Sequence, residues 1–183
     1  MYRSMEDAKR PRTALAGPYG HPFHPIAVTI PIGAWTSALV FDVGALFVQP
    51  PDFLEASATW LIAIGFVGGV LAAALGLLDF LRLHQGDPAF RVAAIHLVLN
   101  ALVLVCWGVS FYLRYYGEFA DSRSWTVVSD VVLLAILGVS GYLGGMLAYR
   151  YGVRVATEAT QREGFDPAQD SPRPDPHGRQ YKT

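Results

Sequence analysis

Long apolar runs alternate with short polar stretches along this chain, and four of the runs reach the roughly 20 residues a helix needs to cross a bilayer. They extend from about Ile26 to Val48, Ser57 to Leu81, Ala89 to Leu113 and Trp125 to Tyr149. Charges inside them are few: Asp42 in the first, Asp79 near the end of the second, Arg91 in the third and Asp130 near the start of the fourth. No period-two alternation suggests barrel strands, and a backbone in lipid must satisfy its own hydrogen bonds, so the runs are read as helices. The connections "QPPDFLEA", "RLHQGDP" and "RYYGEFADSRS" are short enough to force neighbouring helices antiparallel. The sequence therefore predicts an all-α integral membrane four-helix bundle, up-down-up-down, over residues 20–155. A polar segment, 1–19, precedes it. The Pro-rich polar tail, 156–183, lacks the apolar residues to build a core and is expected to be disordered.

Composition agrees. Of 183 residues, 52% are hydrophobic and 16% charged, against about 25% charged in a soluble domain. The net charge of −1 offers no basic field for nucleic acid. One cysteine, Cys106, excludes an intrachain disulfide framework and a cysteine-cluster metal site. The N-terminal segment has no apolar h-region or cleavage signature, so the first apolar run is expected to direct insertion into the inner (plasma) membrane.

The cations give an orientation. Arg3, Lys9, Arg10 and Arg12 precede the first run, Arg82 and Arg91 flank the second connection, and Arg150, Arg154, Arg162, Arg173, Arg179 and Lys182 follow the fourth run. Only Arg114 and Arg123 fall on the other side, which predicts both termini in the cytoplasm.

That orientation turns scattered polar residues into a constellation. "GPYGHPFHPIAVTIPIG" puts His21 and His24 before the first span; Asp79, Arg82 and His84 end the second; His96 lies about 10 Å into the third, with Asn100 one turn deeper on the same stripe. An ionisable group within a membrane marks a functional-site candidate, and His96 is the sharpest. His177, in the tail, is expected to be solvated. The proline rule makes "HPFHP" a stiff extended lead-in with His24 near the helix cap, and Pro31 a place for a kink. Asp79 could ligate a metal or pair with Arg82 or Arg91. Asp42, well inside its helix, needs a partner such as Arg114 or Asn100. Gly65/Gly69 and Gly141/Gly145 have the GxxxG spacing that lets helices approach closely, or that clears space for a flat cofactor.

Taken together, "GHPFHPIAVTIPIGAWTSALVFDV", "GLLDF", "RVAAIHLVLNA" and "GYLGGMLAYRYGVRV" resemble the bacterial four-helix membrane proteins grouped as domain-of-unknown-function family 2231. The resemblance runs from about Gly20 to Val155 and implies a four-helix integral membrane domain. Relatives of this kind occur alone or joined to redox modules such as Rieske-type iron–sulfur domains. The family pattern falls on His21, Pro22, His24, Pro25, Pro31, Asp42, Asp79, His96 and Asn100, and it carries no established reaction.

Two classes of function follow. One is a redox protein: haem b between His96 and either His24 or His21, with Asn100 beside it and a redox partner protein at the cytoplasmic face. Alternatively the cofactor is a transition metal held by His21, His24, His96 and Asp79. The other class is a membrane subunit or adaptor, or a proton- or ion-translocating subunit, whose Asp42, Asp79 and Asn100 fix helix packing. In either class the chain's partner is the bilayer, and for proton or ion translocation four helices make a narrow path unless further copies of the chain assemble.

Overall fold

The computed structural model describes residues 2–117 and 123–165. Helix α1 (Tyr2–Lys9) and a 3-10 turn (Ala14–Ala16) lead to α2 (His24–Ala27), α3 (Thr29–Ala45), α4 (Asp52–Phe80), α5 (Pro88–Tyr115) and α6 (Arg123–Gly145). A π-helical turn (Met146–Arg150) extends α6, and α7 (Glu158–Arg162) follows. Four stretches are long and apolar enough to span a membrane: His24–Ala45, Asp52–Phe80, Pro88–Tyr115 and Arg123–Arg150. Each overlaps one of the expected runs. The chain is all-helical, with no strand among the described residues.

The first span begins one residue earlier than the proline rule suggests. Phe23, not His24, is the cap, and His24 closes the first turn by accepting from the Val28 N–H at 3.1 Å. The helix is then interrupted at Val28. Pro31 explains the interruption, because it has no N–H to offer the Ala27 carbonyl four residues back.

Each spanning helix packs on its neighbour in sequence, and α6 closes the ring on α3. The inward faces follow three- and four-residue spacing. On α3 the buried positions are Pro31, Ala34, Trp35, Ala38, Asp42 and Ala45. On α4 they include Ala58, Ile62, Gly65, Ala72 and Asp79. Trp35 and Trp107 stack across the middle of the ring at 5.1 Å and 11°, with Ala38, Ala58, Ile62, Val103 and Leu133 around them. The outward residues, among them Val40, Val67, Val98, Val105 and Val139, are exposed and apolar, as lipid-facing positions must be. Trp60, Tyr112, Tyr115, Tyr116 and Trp125 ring the end opposite the termini, and Tyr142 and Tyr149 the other; such aromatic girdles mark membrane interfaces.

The polar N-terminal segment is tied to the bundle. Arg82 donates to the Pro11 carbonyl at 2.9 Å, Lys9 to the Val155 carbonyl at 3.5 Å, and His84 stands 3.7 Å from Asp7. Arg154 anchors the junction. It has left-handed backbone (φ 60°), its N–H donates to Ala8 at 3.0 Å, and its guanidinium reaches the carbonyls of Ala16 and Gly17. Helix α7 forms in a stretch expected to be disordered, with Thr157 capping it and bonding Tyr19.

Of the two GxxxG pairs, Gly65 makes room for one of the chain's own side chains and Gly141 does not. A Cβ on Gly65 would lie 2.3 Å from the Trp35 indole nitrogen, whereas one on Gly141 would meet nothing within 4 Å. Gly65→Ala should therefore lower stability by about 1–3 kcal/mol through overpacking, and Gly141→Ala should leave it nearly unchanged. Reversible unfolding in detergent checks both; equal effects would remove the distinction.

Candidate functional site

Helix α5 carries the polar residues of the interior on one stripe: His96, Asn100, then Val103, Trp107, Ser110 and Arg114, at alternating spacings of four and three. His96 and Arg114 are 18 residues apart, or about 27 Å along the axis. The Trp35–Trp107 stack lies between them. The polar residues therefore form two separate clusters.

At the end nearer the termini, His24 and His96 face each other from the first and third spans. Their ring centroids are 6.4 Å apart and the rings nearly perpendicular, at 89°. Each ring is anchored on a neighbouring helix: His24 Nδ1 bonds the Ala72 carbonyl at 2.8 Å, and His96 Nδ1 bonds the Ser140 carbonyl at 2.7 Å. A carbonyl oxygen only accepts, so in both rings the proton is assigned to Nδ1 and Nε2 keeps its lone pair. Asn100 Nδ2 lies 3.1 Å from His96 Nε2 and also donates to Ser140 Oγ at 2.8 Å. The rings lie against glycines: a Cβ on Gly76 would come within 2.9 Å of His24, and one on Gly144 within 3.1 Å of His96. The space those glycines open is filled by imidazole.

The other histidines are elsewhere. His21 is exposed, its backbone N–H bonded to Pro18; His84 is exposed beside Asp7; His177 lies outside the described residues. Asp79 is paired with neither Arg82 nor Arg91. Its carboxylate meets the Arg154 guanidinium at 2.8 Å, both side chains almost sealed from solvent. The reason is topological: the segment after the fourth span folds back over the end of α4, while Arg82 turns away to Pro11. His21, His24, His96 and Asp79 are thus not assembled, and among the described residues no three His, Cys, Asp or Glu side chains are grouped to hold a metal ion.

The donor set indicates what could be held at His24 and His96. Two imidazoles fall short of the four ligands of a structural zinc site and the three of a catalytic one. Haem iron, four of whose ligands are porphyrin nitrogens, asks the protein for only the axial pair. Hydrogen-bonding the Nδ1–H of each ring to a carbonyl is how iron- or zinc-ligating histidines are held in orientation. Both histidines are half-buried.

The second cluster sits at the opposite end. Arg114 points back along α5, as helical side chains do. Its Nη1 donates to Asp42 Oδ2 at 2.7 Å, its Nη2 to Asp130 Oδ1 at 2.8 Å and its Nε to Ser110 Oγ at 3.2 Å. The expected choice of Arg114 or Asn100 as partner for Asp42 resolves to Arg114. Arg123 and Glu55 form a more exposed ion pair nearby.

Ser140 was not among the expected site residues, although it touches both His96 and Asn100. Its signal in the sequence is faint: one hydroxyl among the glycines of "GVSGYLGG".

A family model described as "Predicted membrane protein (DUF2231)" matches residues 20–157. The chain belongs to this family. Neither the curated proteins nor the solved structures contain a match. Family membership thus accounts for the four-span membrane domain and supplies no reaction for the two clusters.

Arg114→Gln would leave the buried Asp42–Asp130 pair without its countercharge, and should cost about 3–5 kcal/mol. Arg114→Lys keeps the charge but loses the planar fork and should cost less. Denaturant titration in detergent checks the order; a cost below about 1 kcal/mol for the Gln variant would show that the fork does not hold the helices.

Proposed function

We propose that the protein is a small membrane redox subunit that holds one b-type haem between His24 and His96, near the face carrying its termini. The observation that supports this most is the imidazole pair itself, supplied by facing spans with each Nδ1 anchored on a neighbouring carbonyl. Haem would supply a reversible one-electron couple. The chain's residues do the rest. The Ala72 and Ser140 carbonyls fix ring orientation and raise the basicity of Nε2. Gly76 and Gly144 let the rings pack tightly on α4 and on α6. Asn100 must release His96 Nε2 when that nitrogen ligates, and its other bonds, to Ser140 Oγ and the His96 carbonyl, keep it in place.

The clustering of Lys and Arg at the termini end supports an inner-membrane orientation with this site toward the cytoplasm, where a redox partner protein would dock. Neither His24→Ala nor His96→Ala should then bind haem, whereas His21→Ala should.

A second reading is favoured by one contact. Asn100 already lies within hydrogen-bond distance of His96 Nε2, so the cluster can be a closed polar network that only sets helix register. Continuous proton translocation is less well supported, because the Trp35–Trp107 stack fills the interior between the two clusters.

Absorption spectra of the detergent-purified full chain, oxidised and reduced, separate these. The expected result is a Soret band that is lost in His24→Ala and in His96→Ala and kept in His21→Ala. A colourless wild-type protein that takes up no haem on reconstitution would overturn the redox reading, as would a band that survives both substitutions.

A further inference from the structure

The Asp42–Arg114–Asp130 cluster holds two carboxylates against one guanidinium. The relative exposures of the three side chains are 3%, 6% and 0%. Fully ionised, the cluster would carry one uncompensated negative charge, in a place where an unpaired charge is strongly unfavourable. Among the described residues no other cation is paired with it: Arg123 is engaged with Glu55, and Arg154 is at the other end of the bundle with Asp79. Toward this end α4 buries the apolar Ala58 and Ile62, and its acidic residues there are Asp52, which is exposed, and Glu55, which pairs with Arg123. From α5 comes Ser110, a neutral hydroxyl that accepts from Arg114 Nε.

The hydrogen bonds point the same way. Asp130 Oδ1 accepts from Arg114, but Oδ2 is buried and has no partner. The Asp42 carboxyl is held by Nη1 of the same guanidinium whose Nη2 holds Asp130. Two ionised carboxylates cannot bond each other, since both only accept. One proton gives the pair a donor, satisfies the orphaned oxygen and brings the cluster to neutrality. Acids that share a site this closely do not both ionise freely.

We infer that Asp42, Arg114 and Asp130 form a proton-binding site in which the two carboxyls share one proton, taken from water, on the Oδ2 side of Asp130. The ligand is a proton, and the site is independent of any haem at His24 and His96. Its composition explains why three residues serve where two would make an ion pair. Replacing either acid with its amide leaves one carboxylate against one guanidinium, so the remaining acid ionises and the proton is lost.

Infrared spectroscopy of the full chain in lipid vesicles at neutral pH reads this directly. The wild-type protein should show the carbonyl stretch of a protonated carboxylic acid, shifting down in D2O, and both Asp42→Asn and Asp130→Asn should lose it. Absence of the band from the wild type would overturn the site without reference to any variant. A band that survives either substitution would assign the proton to a group outside the shared pair and would overturn it equally.

Discussion

Arg114, forked between Asp42 and Asp130, is the interaction on which the bundle depends most. Four helices in lipid gain little from hydrophobic burial against one another, because lipid tails are as apolar as leucine. What distinguishes one helix arrangement from another is close packing and the pairing of polar groups that have no water to turn to. The fork joins the first, third and fourth spans at one point and fixes their rotation and register together. The inward placement of Trp35, Trp107 and the histidines follows from that register, since all lie on the same faces as the charged residues.

At the opposite end a second arginine closes the bundle. Arg154 pairs with Asp79 and gathers carbonyls from the N-terminal segment, so the polar flanks cover the end of the helices. The interior thus has a sealed ion pair or triad at each end, a stacked tryptophan layer between, and the His24–His96 pair on the termini side of that layer. Buried ion pairs of this kind are weak sources of net stability but strong sources of specificity, since each tolerates only one partner arrangement. The histidines differ from them in having ring nitrogens that can serve as ligands, which is why the proposed cofactor is put there and not at the arginines.

Much of this architecture was legible in the sequence. The four spans follow from apolar length, and the spacing of His96 and Asn100 put both on one stripe of α5, which the structure extends to Trp107 and Arg114. Asp42 pointed to Arg114 or Asn100, and the hydrogen bonds select Arg114, which lies toward the same end of the antiparallel helices. Asp79 did not point to Arg154, since that residue lies beyond the fourth span in a segment whose return path no periodicity records. The choice between His21 and His24 was also illegible. It turned on Phe23 entering helical geometry, which brings His24 into the first turn, where its ring reaches Ala72. The glycines could be read as packing or as cofactor space, and only their neighbours decided that Gly65 serves Trp35 while Gly76 and Gly144 serve the histidines.

The central claim is that the polar residues of α5 belong to two separate clusters, at His96 and at Arg114, and not to a continuous polar path. A double-mutant cycle in unfolding free energy tests it most directly. Asp130→Asn and Arg114→Gln should couple by more than about 1 kcal/mol, whereas Arg114→Gln and His96→Ala should add to within about 0.5 kcal/mol, as distant sites do. Additivity within the first pair, or strong coupling across the second, would contradict the account.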